Sequence, residues 1–385
     1  MSDVTVIGGG VIGLSIACEL AGQGHSVRLL ERGEFGREAS WAGAGMLPPG
    51  NPECRMDVES WLRGISHRLW PEWSGFLREE TGLDNGFHRY GGLQIRTDIE
   101  TDGLQSEISR WRDEGVRIEP LDDPGIRHLE PKIHPRINQG YLLPDMGQVR
   151  NPRHLKALVA CCERRGVSLV SHCEVLEIST RNGRIASVQT SQGPFQSEAW
   201  VLAGGPWSKR LTDGLDCPLR LEPVRGQMLL LRTSPGFLHR ILESSKRYIV
   251  PRLDGRVLVG STEEWVGFQK ENTVSGIGGL MRFALGLIPE LADAAIESTW
   301  SGLRPCAPDG LPYIGFVPGA ENLILASGHF RSGLQLSPAT AWLVGRLLNG
   351  QEETNGLPLE QLSPSRDSGD IVHEEIMMES ISRNE

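Results

Sequence analysis

The sequence predicts an α/β protein in which a parallel-sheet domain is interleaved with a smaller, antiparallel-sheet α+β domain. Three observations carry that prediction. The β-branched run at residues 4–7 flows without a break into Gly8-Gly9-Gly10-Val11-Ile12-Gly13, then into apolar residues at helical spacing over 14–20. A second short strand at 26–30 ends on an acid, Glu31, 18 residues beyond Gly13. Further along, α/β segments (1–86, 145–218 and 305–350) alternate with strand-rich ones (87–144 and 219–304). That pattern suits two discontinuous domains with a pocket where they meet.

Each residue type in the opening unit has a chemical reason. Gly8 permits a tight turn, Gly10 lets backbone approach a pyrophosphate, and Gly13 allows helix and strand to pack closely. The helix start at Val11 and Ile12 presents unpaired N–H groups and a partial positive charge. Glu31 is spaced to accept from ribose hydroxyls. Strand, loop, helix, second strand and acid agree, so an adenine-dinucleotide site is expected. A tight βα turn with no ligand is the simpler alternative.

Composition narrows the class. A chain of 385 residues holds about two or three domain-sized cores. Hydrophobic content of 39% and charged content of 23% suit a globular protein, and a net charge of −10 argues against a nucleic-acid surface. No apolar run approaches the length of a membrane span, and the N-terminus enters its first strand without a signal peptide. The seven cysteines (Cys18, Cys54, Cys161, Cys162, Cys173, Cys217 and Cys306) form no CxxC pair and no metal-like spacing. Reduced packing thiols in a cytoplasm are expected, with no metal.

The remaining elements follow in order. Small residues over 39–45 let backbone run close to something flat or phosphorylated, and Trp41 and Met46 argue that this loop is packed. A helix is expected over 57–82, with Leu62, Ile65, Leu69, Trp73 and Leu77 on its apolar positions. Strand chemistry follows at 87–95, a helix near 99–115, and strand and turn at 141–149. Asn151-Pro152 reads as the N-cap and first turn of a helix reaching about Arg165. Strands are expected at 167–170 and 174–178, then a hairpin turn at Asn182-Gly183 into 185–188. A buried strand at 199–203 meets Gly204-Gly205, a second place where backbone can approach a cofactor. Short strands at 224–231, 248–251 and 257–261 precede a helix at 276–288. The strand at 323–327, the loop at 328–333 and the helix at 334–348 repeat the opening logic. Beyond residue 350 the chain turns polar and acidic, and a disordered tail is expected over 351–385.

Five separated motifs occur in order: Gly8-Gly9-Gly10-Val11-Ile12-Gly13, the loop at 39–47, Val201-Leu202-Ala203-Gly204-Gly205, Arg225-Gly226-Gln227 and Gly328-His329-Phe330-Arg331-Ser332-Gly333. Together they resemble the FAD-dependent D-amino-acid oxidase superfamily. Tyr248-Ile249-Val250-Pro251-Arg252 and Gly302-Leu303-Arg304-Pro305 make the chain most similar to the glycine oxidase branch used in thiamine biosynthesis. The resemblance extends to about Leu348. It implies a Rossmann-like FAD-binding domain of glutathione-reductase type, interleaved with a smaller substrate-binding domain.

The resemblance also implies roles. Gly8, Gly10, Val11, Ile12 and Gly13 would hold the pyrophosphate of a non-covalent FAD, and Glu31 and Arg32 its adenosine end. Ala39, Ser40, Ala44, Gly45 and Met46 would run along the ribityl chain and isoalloxazine, with Val175 at the adenine and Gly204 at the second glycine turn. His329, Phe330, Arg331 and Ser332, followed by Gly333, Leu334 and Gln335, would place N–H groups at the pyrimidine edge of the flavin. The implied catalytic and substrate-binding residues are Arg304, a planar fork for a carboxylate, Tyr248, a donor to the same carboxylate, and Arg331, with Met46 lining the substrate pocket. Taken as residues alone, Arg304 equally fits a structural salt bridge, Tyr248 a strand aromatic and Arg331 a surface cation. Glu263 stands where some glycine oxidases carry a methionine, and would meet a cationic or secondary amine or point to solvent. Cys306 lies too near Asp309-Gly310 for the covalent flavin link of sarcosine oxidases.

The implied activity is oxidation of glycine, sarcosine or a small D-amino acid by hydride transfer to the flavin, with O2 reduced to H2O2. The imine product would supply thiazole synthesis. Implied partners are the small amino acid and O2, thiazole-synthesis enzymes, and further copies of the chain in a dimer or tetramer. Three alternatives stand beside it: an FAD-dependent dehydrogenase of D-amino or N-methyl amino acids, an NAD-dependent dehydrogenase, and a flavin-binding partner protein without turnover.

Overall fold

The computed structural model describes residues 2–95, 103–215, 217, 219–351 and 356–366. β1 (Ser2–Ile7) runs into α1 (Val11–Gly22), and β2 (Val27–Leu30) returns parallel to β1. The short helix α2 (Ala39–Ala42) and β3 (Met46–Leu47) follow. α3 (Val58–Thr81) opens on a capping box between Asp57 and Ser60 and closes at Gly82 in the left-handed region (φ 73°). Then come β4 (Gly92–Ile95), α4 (Gly103–Asp113), β5 (Glu119–Leu121), α5 (Asp123–Leu129), β6 (Gly140–Leu143) and β7 (Gly147–Gln148). Residues 99–102 of the expected helix lie outside the described residues.

α6 (Asn151–Arg164) corrects one expectation. Arg150 is its N-cap, and Asn151 is already helical, because the Asn151 amide is committed to a distant partner: Nδ2 donates to the Ser40 carbonyl at 2.8 Å. After β8 (Ser168–Val170), β9 (Val175–Arg181), β10 (Arg184–Thr190) and β11 (Gly193–Phe195) form a meander. Its first turn places Asn182 and Gly183 at φ 52° and 72°, as a two-residue primed turn requires. β12 (Ser197–Leu202) and α7 (Ser208–Thr212) lead to the long strand β13 (Glu222–Arg232). The chain continues through β14 (Ile241–Ser244), β15 (Arg247–Pro251), β16 (Arg256–Gly260), α8 (Val274–Leu287) and β17 (Ala295–Cys306). It closes with β18 (Tyr313–Val317), β19 (Ala320–Ser327) and α9 (Gly333–Leu348).

The six-stranded sheet has the order β18-β19-β12-β1-β2-β8 and is parallel except at β18. Its strands are buried on both faces, and alternation assigns the faces. Val6, Leu29, Val201 and Ile324 join the core shared with α1, α3, α6 and α9. Their neighbours Ile7, Leu30, Leu202 and Leu325 join the core shared with the meander.

The eight-stranded sheet has the order β17-β13-β16-β15-β14-β4-β6-β5 and is antiparallel except where β14 meets β4. Register divides it just as cleanly. Leu229, Val259, Ile249, Leu242 and Leu93 are successive cross-strand neighbours, packed with Leu280, Ala284 and Leu287 of α8. The adjacent row, Met228, Gly260, Tyr248, Glu243 and Gln94, therefore occupies the opposite face.

This is the α/β class expected from the sequence, with two corrections. β17 had no counterpart among the expected strands, yet it pairs with β13 almost residue for residue. The tail expectation also fails in part. Leu357 and Leu362 are buried with α1 and α9, and Arg366 pairs with Asp309 at 2.7 Å and lies over the Tyr313 ring. Residues 352–355 and 367–385 lie outside the described residues. No helix among the described residues is long and apolar enough to cross a membrane.

Candidate active site

A cavity of about 390 Å³ opens between the carboxyl end of the parallel sheet and the free face of the eight-stranded sheet. At its phosphate end, glycine is obligatory for steric reasons. Gly8 has φ 108°, and a Cβ there would sit 2.4 Å from the Ala203 carbonyl oxygen. A Cβ on Gly13 would sit 1.9 Å from the Gly8 oxygen. Gly10 is less constrained, since its Cβ would meet only Ser40 Oγ, at 3.1 Å.

Glu31 ties this loop together: its carboxylate accepts from the Gly9 N–H (2.7 Å) and the Gly33 N–H (2.9 Å) while still lining the cavity. Arg32 lies 3.6 Å over the Trp207 ring and pairs with Glu38 at 2.8 Å. Ser40 Oγ accepts from Val11 N–H at 2.8 Å, leaving the following N–H groups of the first turn of α1 without helical acceptors. Val175 and Gly204 also line this end.

The loop after α2 is held from three sides. The Gly45 carbonyl accepts from Val149 N–H at 2.8 Å, and a Cβ on Gly45 would sit 1.9 Å from the Val149 oxygen. Trp300 Nε1 donates to the Ala42 carbonyl at 3.0 Å. Arg252 donates to the carbonyls of Ala44 (2.7 Å) and Val149 (3.1 Å) and to Gln148 Oε1. Burial, helped by Arg150, pulls its guanidinium pKa down to about 9, so it stays charged at neutral pH. Arg252 belonged to a sequence motif but not to the expected site. Its signal was an arginine ending a buried strand. Met46 lines the cavity beside this loop, opposite Gln148.

The start of α9 lines the opposite wall with Ser332, Gly333 and Leu334. Gln335 Nε2 donates to the Pro48 carbonyl at 2.7 Å. Phe330 adopts φ 44°, and its N–H donates to the Pro305 carbonyl at 2.9 Å. The His329 imidazole is buried and hydrogen-bonded to Thr340 at 3.0 Å, and burial drops its pKa to about 3. It is neutral and offers the cavity no charge.

Another part of the cavity wall lies on the eight-stranded sheet. Arg304 donates to Ser261 Oγ (2.6 Å) and the Thr262 carbonyl (3.2 Å), and among the described residues it has no carboxylate partner. The salt-bridge alternative for Arg304 therefore has no support. Its guanidinium passes over Gly226, where a Cβ would come within 2.2 Å of it. Tyr248 lines the same wall, and among the described residues its hydroxyl hydrogen-bonds Met228 Sδ, at 3.6 Å, and no oxygen.

Arg331 is half-exposed and paired with Glu263, which also lies 3.6 Å from Lys246. Glu263 thus spends its charge on two cations and does not point to solvent. Beneath Arg304, Glu264 accepts from Arg225 (2.9 Å), Gln227 (2.9 Å) and Thr262 (2.9 Å). Burial pushes the Glu264 carboxyl up, but these donors outweigh it, and its pKa lies below the usual value. Sequence reasoning missed Glu243, which lines the cavity beside Tyr248.

The cysteines hold no disulfide, and all seven are buried. Burial raises Cys306 to about 12, and its Sγ donates to the Ala307 carbonyl at 3.3 Å. No group of metal-ligating side chains occurs among the described residues.

The cavity fits FAD. Its Cβ-free cradle lies at one helix N-terminus, and the start of α9 and the loop carrying Gly43 and Gly45 line the same cavity. Comparison with known proteins agrees. The chain matches the DAO family, described as FAD dependent oxidoreductase, over residues 3–347. It is 37% identical to the glycine oxidase of Pseudomonas putida over 351 residues, covering 91% of this chain and 95% of that protein. It is 38% identical over 358 residues to the bifunctional protein ThiO/ThiG of Synechocystis, covering 91% of this chain and 52% of that one. The crystal structure of glycine oxidase from Geobacillus kaustophilus superposes with a TM-score of 0.90 at 32% identity, covering 96% of this chain and 99% of that chain. Fold, cradle and family agree: the chain belongs to the FAD-dependent oxidoreductases of the DAO family.

Proposed function

We propose that this enzyme is a glycine oxidase, deaminating glycine and other small amino acids such as sarcosine or D-alanine, with O2 as acceptor. The observation that carries the reading is the pairing of Arg304 and Tyr248 on one cavity wall. Among the described residues, a guanidinium without a carboxylate partner and a hydroxyl without an oxygen partner together suit an anion. The named relatives in Pseudomonas and Geobacillus support the same substrate class.

When bound, FAD supplies the two-electron chemistry, drawing electrons from the amine and passing them to oxygen. The chain supplies position and charge. Arg304 holds the substrate carboxylate as a fork, and Tyr248 donates to it from the neighbouring strand. Side-chain-free Gly226 and Gly302 leave room for the Arg304 guanidinium and for Ala42, respectively. The α9 N-terminus, rather than the neutral His329, favours negative charge at its end of the cavity. Arg331 reaches the substrate only by sharing itself with Glu263. Cys306, buried and protonated, supports non-covalent FAD.

The ThiO/ThiG relative supports a role feeding thiazole synthesis, and a cytoplasmic location belongs to the same reading. Residues 1–86, 145–218 and 305–350 form the FAD-binding domain in this reading, with 87–144 and 219–304 the substrate domain. The dimer or tetramer belongs to the same reading and is tested by light scattering.

The test is an anaerobic flavin spectrum titrated with glycine, sarcosine and D-alanine, then opened to air. Bleaching by glycine with rapid re-oxidation and peroxide supports the reading. Reduced flavin that survives in air overturns it in favour of a dehydrogenase.

A further inference from the structure

Beyond Tyr248 the cavity face continues to an acidic group. Glu243 on β14 stands directly opposite Tyr248 on β15, and Gln94 on β4 is its neighbour on the other side. Alternation along each strand puts all three side chains on the face away from α8. Glu243 lines the cavity; Glu107, from α4, lies behind it, and Gln94 Nε2 donates to Glu107 at 3.0 Å.

Gln94 supplies a second, independent observation. It is 2% exposed, and its Oε1 is buried without a donor among the described residues. A protonated carboxyl beside it would be that donor, whereas two carboxylate anions would offer none. The pair is thus built to hold a proton. Burial, with Glu107 adding to the effect, raises Glu243 to about 8, against opposition from Gln94 and Arg331. Burial raises Glu107 as well. The other charged groups at this end are Arg331 and Lys246, both engaged by Glu263.

Resting on the amine-oxidising reading above, we propose that Glu243, backed by Glu107 and Gln94, accepts the substrate's ammonium proton. With the carboxylate on Arg304 and Tyr248, the rest of a small amino acid extends along the row toward Glu243. An ammonium N–H bond breaks and a Glu243 O–H bond forms, leaving the nitrogen its lone pair; no electrons are exchanged in this step. The neutral amine can then be oxidised. A protonated Glu243 cannot accept, so the sign is fixed: turnover rises as pH climbs through the Glu243 ionisation.

The experiment uses the FAD-loaded full chain and glycine. Wild-type kcat/KM rises with pH through a midpoint near 8. Glu243→Gln loses that limb, about tenfold per pH unit, and regains rate only above the amine's own pKa, where substrate arrives neutral. Glu107→Gln removes the like-charged neighbour and moves the limb down by about one unit. Independently of turnover, the infrared band of a buried protonated carboxyl titrates with the same midpoint and vanishes in Glu243→Gln. If Glu243→Gln does not fold, the Glu107→Gln shift decides: a limb that stays in place overturns the proposal. Oxidation by wild type with limb and band unchanged in Glu243→Gln overturns the proposal alone. No amine oxidation by wild type overturns both the functional reading and this step.

Discussion

At Gly45 a single methyl group decides whether the cavity wall can form. The residue has φ 76°, and its absent Cβ leaves space for the Val149 carbonyl. Gly45→Ala should cost roughly 2–4 kcal/mol and release FAD, read by thermal unfolding and by the flavin-to-protein absorbance ratio. Arg304 tests the other end. Arg304→Lys keeps the charge but loses the fork, so kcat/KM for glycine should fall about 100-fold, mainly through KM. Such residues were legible in sequence because glycine and arginine announce themselves at fixed spacings. Glu243 was not, since its meaning depends on Glu107, 136 positions away on another element. Asn151 looked like a cap for the complementary reason: its real partner, Ser40, is 111 positions distant.

Elements show the same division between local and distant information. α1, α3 and α9 were readable from apolar spacing, and the Asn182-Gly183 turn from its chemistry. β17 was not, because Ser298, Ser301, Gly302 and Pro305 dilute its strand pattern and its stability comes from pairing with β13. These two strands also set the turn beneath Arg304. Glu264 pins that turn to Arg225 and Gln227 on β13. Its pKa is depressed on folding, so its contribution is complete above the unfolded carboxyl value, about 4.3, and disappears as pH falls through the folded one. Glu264→Gln should cost about 1–3 kcal/mol at pH 7 and flatten the acid limb of the stability profile. It should also weaken binding of a carboxylate inhibitor such as glycolate, because Ser261 and Thr262 no longer steady Arg304.

Across the whole molecule, one buried cation ties the eight-stranded sheet to the segments that wall the cavity. Arg252, at the end of β15, binds carbonyls of the loop that follows α2 and of the segment leading to α6. Arg252→Leu would leave both acceptors unpaired, costing about 3 kcal/mol, with FAD affinity falling at least about tenfold. Differential unfolding of apo and FAD-loaded protein checks it, the loaded form losing more. Alternating composition made the two sheet types legible, because each imposes its own periodicity on sequence. The closing segment at 356–366 was not, since a polar stretch betrays neither the Arg366–Asp309 pair nor the burial of Leu362.

Gly226, Gly260 and Gly302 lie on the sheet face that carries Met228 and Tyr248, and the space above each is already filled. Any Cβ would strike the Arg304 guanidinium, the Met228 and Tyr248 side chains, or Ala42 respectively. Adding a side chain at any of the three would displace a neighbour. Room for a bulkier substrate would therefore have to come from residues that border the cavity with side chains of their own, such as Met46 and Lys246, rather than from this glycine surface.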